Sequence, residues 1–170
     1  MGFERLWAPW RLAYIEDAGS RPSGSGGCFL CEAAAGPPEL DAERLVVGRG
    51  EGVVTVLNRH PYNSGHLMIS PADHVGSFTE LADELHLATV RTAKRAIRLL
   101  DEVMRPHAYN LGWNLGDVAG GSHSAHLHLH VVPRWGGDTN FMPVIGDVKV
   151  MPQLLTETRH RLADAWEASA

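Results

Sequence analysis

The chain has 170 residues, 44% of them hydrophobic and 21% charged, which excludes a disordered, collagen-like or membrane-embedded polypeptide. A chain of this length buries about two thirds of its unfolded surface, so one domain without disulfides is expected. Lys+Arg 15 against Asp+Glu 20 gives a net charge of −5, without the basic excess of a nucleic-acid binder, while histidine, 10 in all, is over-represented.

Residues 1–27 read as an N-terminal arm and flexible linker. The arm carries Leu6-Trp7-Ala8-Pro9-Trp10-Arg11-Leu12 and Tyr14-Ile15, apolar groups expected to lie against the body of the protein or a partner subunit. Gly19 to Gly27, almost all Gly, Ser and Pro, has nothing to bury and reads as the connector. The first residues lack the basic region and apolar run of a signal peptide, and no apolar stretch approaches the ~20 residues of a membrane span. A cytoplasmic, reduced protein without a membrane partner is expected, in which Cys28 and Cys31, spaced C-x-x-C, are a zinc half-site or a redox pair.

Residues 28–170 read as a single domain. Leu45 to Val47 and Val53 to Leu57 predict two strands around a turn at Gly48 to Gly52, and His66 to Ser70 predicts a third, stopped by Pro71. Leu81, Leu85, Ala88, Ala93, Ile97, Leu100 and Met104 recur at helical spacing, predicting an amphipathic helix of about seven turns from Thr79 to Met104. Its other face, Glu80, Asp83, Glu84, Arg91, Lys94, Arg95, Arg98 and Asp101, reads as solvated. Tyr109 to Leu115 and His126 to Val132 predict the fourth and fifth strands, and a closing helix runs from Pro152 to about Trp166, with proline in its first turn. The sum is an α+β domain: an antiparallel sheet of about five strands, one long helix and a C-terminal helix.

His126-Leu127-His128-Leu129-His130-Val131 alternates strictly, which in a strand places three imidazoles on one face. Imidazoles bury poorly without partners, so three in register point to chemistry rather than packing. Two chemistries fit. Alternate histidines can ligate zinc with water in the open position, as in a metallohydrolase. Alternatively His128, flanked by two groups able to donate to phosphate or fix its tautomer, is a nucleophile toward phosphorus. The loop Gly120-Gly121-Ser122 favours the second, since it permits close backbone approach and offers N–H and O–H donors to an anion. A nucleotide-binding module without turnover is the non-catalytic alternative.

The segment from His126 to Val132 resembles the His-x-His-x-His-x-x signature of the histidine triad superfamily of nucleotide hydrolases and transferases. Leu57-Asn58-Arg59-His60-Pro61-Tyr62-Asn63-Ser64-Gly65-His66-Leu67-Met68, Asn114-Leu115-Gly116 and the tryptophan-rich arm are similar to the same family, so the resemblance spans most of the chain and implies a HIT-like fold. Gly120-Gly121-Ser122 and Pro133-Arg134-Trp135-Gly136-Gly137-Asp138 with Asn140-Phe141 most resemble the bacterial diadenosine tetraphosphate phosphorylases. Many relatives carry glutamine where Ser122 stands, and the smaller serine implies room for phosphate as acceptor.

The resemblance implies that His128 attacks an α-phosphate of an adenine dinucleoside polyphosphate, releases ATP and holds AMP until phosphate or water removes it; a hydrolase or nucleoside phosphoramidase shares these steps. By the same resemblance His130 contacts the α-phosphate and His66 supports the triad. Asn58 binds ribose, Asn114, Gly121 and Ser122 contact phosphate, and Trp135 shapes the cleft. Asn58 and Asn114 read without it are strand-end or turn asparagines. His123 either assists leaving-group protonation or is an exposed residue. Zinc-bearing relatives imply a structural zinc on Cys28, Cys31, His74 and His126, with no organic cofactor, and the superfamily implies a homodimer.

Overall fold

Val53–Leu57 and Leu67–Pro71 are buried at every position, so these two strands are covered on both faces. They lie side by side in a five-stranded antiparallel sheet whose strands run in the order 46–50, 53–57, 67–71, 129–134 and 108–113. The computed structural model describes residues 27–116, 119, 126–138 and 153–169. In chain order the elements are α1 (Phe29–Ala35), a 3-10 turn (Pro38–Leu40), β1 (Val46–Gly50), β2 (Val53–Leu57), β3 (Leu67–Pro71), α2 (Asp83–Val103), β4 (Ala108–Trp113), β5 (Leu129–Arg134) and α3 (Leu155–Ala168).

Residues directly opposite in an antiparallel ladder share a face, so the register assigns the two sides. Leu57, Leu67, Val131 and Leu111 lie in one row, and Thr55, Ile69, Leu129 and Trp113 in the next. This side packs under α2 and α3, which contribute Ala88, Ala93, Ala96, Leu99, Leu100, Leu162 and Trp166 to the main core. The opposite side carries Val56, Met68, His130 and Gly112 in one row. There α1 covers only the β1–β2–β3 half, through Leu30 and Ala33 against Val46, Val54, Val56 and Met68. The histidine-bearing half of that face carries no described helix.

The α+β class, the five antiparallel strands, the long helix and the C-terminal helix are those expected. Several boundaries differ for local reasons. The hairpin turn is only Glu51-Gly52, both at positive φ (52° and 73°), the geometry of a two-residue turn; Gly48, Arg49 and Gly50 belong to β1. A register irregularity between Val46 and Gly48 brings Gly48 beneath α3, where a Cβ would fall inside the Trp166 ring. The long helix starts at Asp83, not Thr79. Ser77 and Thr79 hydroxyls bond each other and Glu80 N–H donates to Ser77 O, a turn that competes with the helix, while Asp83 and Glu84 suit its N-terminal dipole.

The third strand is shifted by one residue to include Pro71, and the fourth ends at Trp113. The fifth begins at Leu129, because the chain from His126 to His128 uses other partners: Leu127 N–H donates to Val75 O at 2.8 Å and Ser70 Oγ–H donates to Leu127 O at 2.8 Å. The closing helix begins at Leu155, and Pro152, expected in its first turn, lies outside the described residues. Arg95 departs from its otherwise exposed face: its guanidinium lies 4.0 Å over the Trp166 ring and donates to Trp166 O at 2.6 Å. The short α1 and the 3-10 turn are elements that sequence patterning did not anticipate. The expected arm and connector, residues 1–26, lie outside the described residues.

Candidate active site

Three triad imidazoles are withdrawn from water, with His126 2%, His128 8% and His130 9% exposed. A buried neutral imidazole needs a donor partner for one nitrogen and an acceptor for the other, and backbone groups whose role is invariant decide which is which. His128 Nδ1 lies 2.9 Å from His126 O, and a carbonyl only accepts, so Nδ1 carries the proton and Nε2 keeps its lone pair. His126 Nε2 lies 3.0 Å from Pro71 O, so the same rule protonates Nε2 and leaves Nδ1 free to ligate.

His66, fully buried just before β3, is fixed from its other side. Its Nδ1 accepts Tyr62 N–H at 3.1 Å and the Asn58 Nδ2 amide at 3.3 Å, and Asn58 is oriented because its Oδ1 accepts His60 N–H at 2.9 Å. His66 Nε2–H therefore donates to His130 Nδ1, 2.9 Å away. His130 is left with its proton on Nε2; the Asn114 side-chain amide, whose Nδ2 stands 3.2 Å away, pairs with that proton only when turned so that its Oδ1 faces the ring. One backbone amide thus sets two tautomers in series. The Tyr62 ring stacks on His66 at 4.9 Å and 20°.

Burial lowers the His128 pKa, and burial together with the charge of His128 pushes His130 down to about 4. Both rings are neutral near pH 7, His128 as a potential nucleophile and His130 as an N–H donor. Beyond β5, the Arg134 guanidinium beside Asp138 holds its carboxyl well below the usual carboxylate range. Asp138 accepts from Arg134 Nε at 2.6 Å, Arg134 Nη2 at 3.0 Å, Asn63 Nδ2 at 2.6 Å and Trp135 N–H at 3.1 Å. It ties the turn before His66 to the Trp135 turn. Arg134 is therefore committed to a carboxylate rather than open to phosphate.

At the other end of the triad, one donor atom each from Cys28, Cys31, His74 and His126 lies within 4.8 Å of the others. Sγ to Nδ1 distances are 3.2 Å (Cys28 to His126), 3.3 Å (Cys31 to His74) and 3.5 Å (Cys31 to His126). Zinc bonds of about 2.3 Å to sulfur and about 2.0 Å to nitrogen at tetrahedral angles put such atoms about 3.5 Å apart. The free His126 Nδ1, with Nε2–H on a carbonyl, is the arrangement of a zinc-ligating histidine. Burial and the neighbouring Cys28 thiol push the Cys31 pKa up, a cost that a bound cation removes. The residues fit a closed Cys2His2 zinc site.

The structure therefore brings Asn58, His66, His130 and Asn114 into one polar network, sets the His128 ring edge-on to His130 at 4.7 Å and bonds it to the His126 carbonyl, while the His126 ring lies in the metal group. Trp135 opens the turn after β5, half-buried. Gly121, Ser122, His123, Asn140 and Phe141 lie outside the described residues. Tyr62, Asp138 and Asn63 were missed as functional residues. The available signals were Pro61 fixing the turn before Tyr62, and an aspartate four residues after an arginine.

The HIT domain family matches residues 39–137, and the chain belongs to that family. It is 45% identical over 164 residues to the AP-4-A phosphorylase of Mycobacterium tuberculosis, covering 96% of this chain and 84% of the relative. An uncharacterized HIT-like protein of Methanocaldococcus jannaschii is 31% identical over 72% of this chain and 89% of its own. Among solved structures, a Zn-bound histidine triad family protein from Mycobacterium smegmatis superposes with a TM-score of 0.65 at 21% identity, covering 85% of this chain and 98% of that one. A HIT family member from Bacillus subtilis gives a TM-score of 0.57 at 27% identity, over 66% and 76%.

Because the folded state lowers the His130 pKa from 6.5 to about 4, it disfavours the protonated form that the unfolded chain accepts more readily. This contribution to stability is complete above pH 6.5 and is lost as the pH falls through about 4. Urea midpoints measured between these limits should fall with pH, and His130→Asn should flatten part of that slope. Identical slopes in the two proteins would contradict the assignment.

Proposed function

We propose that this HIT domain protein cleaves adenine dinucleoside polyphosphates, diadenosine tetraphosphate foremost, by nucleotidyl transfer through His128. The observation that carries this reading is the bond from His128 Nδ1–H to His126 O, which leaves Nε2 as an unprotonated nitrogen on the half of the sheet face that no described helix covers. The substrate class rests on the 45% identical AP-4-A phosphorylase.

In the first step Nε2 attacks one α-phosphorus. The P–N bond forms as the bond to the bridging oxygen breaks, ATP departs, and AMP remains on the imidazole. The ring is then cationic, and its Nδ1–H···O contact to His126 strengthens because the donor is charged. His130 Nε2–H and Asn114 donate to the α-phosphate oxygens, with His66 holding the His130 tautomer. One lone pair of Asn58 Oδ1 remains for a ribose hydroxyl, while Gly121 and Ser122 offer donors to phosphate and Trp135 borders the cleft. In the second step an oxygen of inorganic phosphate attacks the same phosphorus, the P–N bond breaks, and ADP leaves. Water in that role gives AMP instead.

Zinc on Cys28, Cys31, His74 and His126 supplies a cross-link and no step of the reaction, since four protein ligands leave no open position for water. The two free thiols suit a reducing, cytoplasmic setting, and among the described residues no helix is long and apolar enough to cross a membrane.

The chain also reads as a homodimer. β4 ends the sheet with no further strand beside it among the described residues, and Leu111 and Leu115 there are 47% and 50% exposed. Sedimentation velocity should give twice the mass of 18.5 kDa, whereas a single 18.5 kDa species would overturn this.

The catalytic reading is tested by single-turnover incubation with diadenosine tetraphosphate, with and without phosphate, followed by mass analysis. AMP should be found on His128, phosphate should convert it to ADP, and His128→Ala should lower turnover by at least ~10³-fold, on the order of losing a covalent nucleophile. Retained activity in His128→Ala would remove the mechanism. ADP formation indifferent to phosphate would leave a hydrolase.

A further inference from the structure

The two thiols of the metal group stand at the start of α1, which has seven residues, too few to be stable alone. What places it must come from the rest of the fold. Leu30 and Ala33 hold one side against the sheet, yet apolar contact is non-directional and leaves sliding and tilt unrestrained. The last-turn carbonyls have no partners within the helix, and α1 itself has no basic residue in its last turn.

Arg44 Nη1 answers one of them, donating to Glu32 O at 2.7 Å, and Arg49, on β1, answers those beyond it. Its Nη2 donates to Ala33 O at 2.7 Å and Gly36 O at 3.3 Å, and its Nε donates to Ala33 O at 3.1 Å and Ala34 O at 3.2 Å. The outward edge of the guanidinium is gripped by Asp41, with Nη2 to Oδ1 at 2.6 Å and Nη1 to Oδ2 at 2.8 Å. Asp41 is itself fixed to the sheet, because its carbonyl accepts Val46 N–H at 2.8 Å. The cation also faces the negative end of the helix dipole. A planar fork with five donors can serve carbonyls and carboxylate together, which a lysine cannot.

We infer that Arg49, held by Asp41, is a positioning residue of the Cys28, Cys31, His74 and His126 centre: by fixing the far end of α1 it holds both thiols over His126 and so sets the affinity for zinc. The inference rests on the zinc reading given above. A rigid helix transmits the restraint: loosening its C-terminal carbonyls lets Cys28 and Cys31 drift from the imidazoles, and ordering them again opposes binding.

The test uses the full chain, reduced and metal-free. Zinc affinity is measured by competition with a chromophoric chelator, and the ligand field is read with Co²⁺, for the wild type, R49M, R49K, D41N and C31S. Wild type should bind one Co²⁺ with the spectrum of a tetrahedral two-sulfur site. R49M should keep that spectrum at saturation but bind zinc 10- to 100-fold more weakly, the range for partners that orient metal ligands. R49K and D41N should fall between. Affinities within twofold of wild type in R49M, or in R49K and D41N should R49M not fold, would overturn the role of Arg49 while leaving the zinc site intact. A wild type no better than C31S at taking up Co²⁺ would overturn the zinc reading, and this inference with it. A fall in the melting temperature of the metal-free variants without a change in affinity would reduce Arg49 to a fold-stabilising residue.

Discussion

A row of imidazoles taken out of water needs a fixed partner on at least one nitrogen of each ring, and for three rings here that partner is a peptide group. Pro71 O, His126 O and Tyr62 N–H do not titrate and cannot exchange donor for acceptor. Each therefore decides a tautomer outright, and the decision passes on from His66 to His130. The result is three different imidazoles: His126 with an unprotonated Nδ1, His128 with an unprotonated Nε2, and His130 with a protonated Nε2. Their division of labour follows from which backbone atom each one meets.

That division requires a sheet with two unlike faces. α2 and α3 cover the inner strands of one side, and the close approach of Trp166 to Gly48, closed from above by Arg95, locks α3 onto β1. On the other side α1 is the one helix added among the described residues, and it sits at one end. The same short helix brings two thiols to the first triad histidine. His126 thus serves two ends of the molecule at once, ligating through its ring and orienting His128 through its carbonyl. The Cys2His2 group and the His128 ring are linked through His126 and one hydrogen bond of 2.9 Å.

Much of this was legible in the residues. Strict alternation through the triad identified the shared face, the step of three and four identified α2, and the resemblance to zinc-bearing relatives joined His74 and His126 to the C-x-x-C in a group that the fold does assemble. What patterning could not give were features decided by tertiary partners. His126 and His128 precede the strand because Val75 and Ser70 occupy the neighbouring chain. The helix start moved to Asp83 because Ser77 and Thr79 favour their own turn. α1 was invisible because seven residues carry little periodicity, and its anchor, Arg49, lies in a different element with no local signal. Arg95 read as solvated because a cation on a polar face gives no hint that a tryptophan from the chain's far end lies beneath it.

An acidic chain handling a polyphosphate is then no contradiction. The described groups at the site are neutral imidazoles, amides and an arginine already paired with Asp138, so phosphate oxygens would meet oriented donors rather than a surplus of positive charge. The account stands on the protonation pattern of the resting site. Long-range ¹H–¹⁵N correlation spectra of the histidine side chains at neutral pH report it directly. Protons on Nδ1 of His128 and on Nε2 of His66 and His130 are predicted; a proton on His128 Nε2 would leave no lone pair for attack and would contradict it.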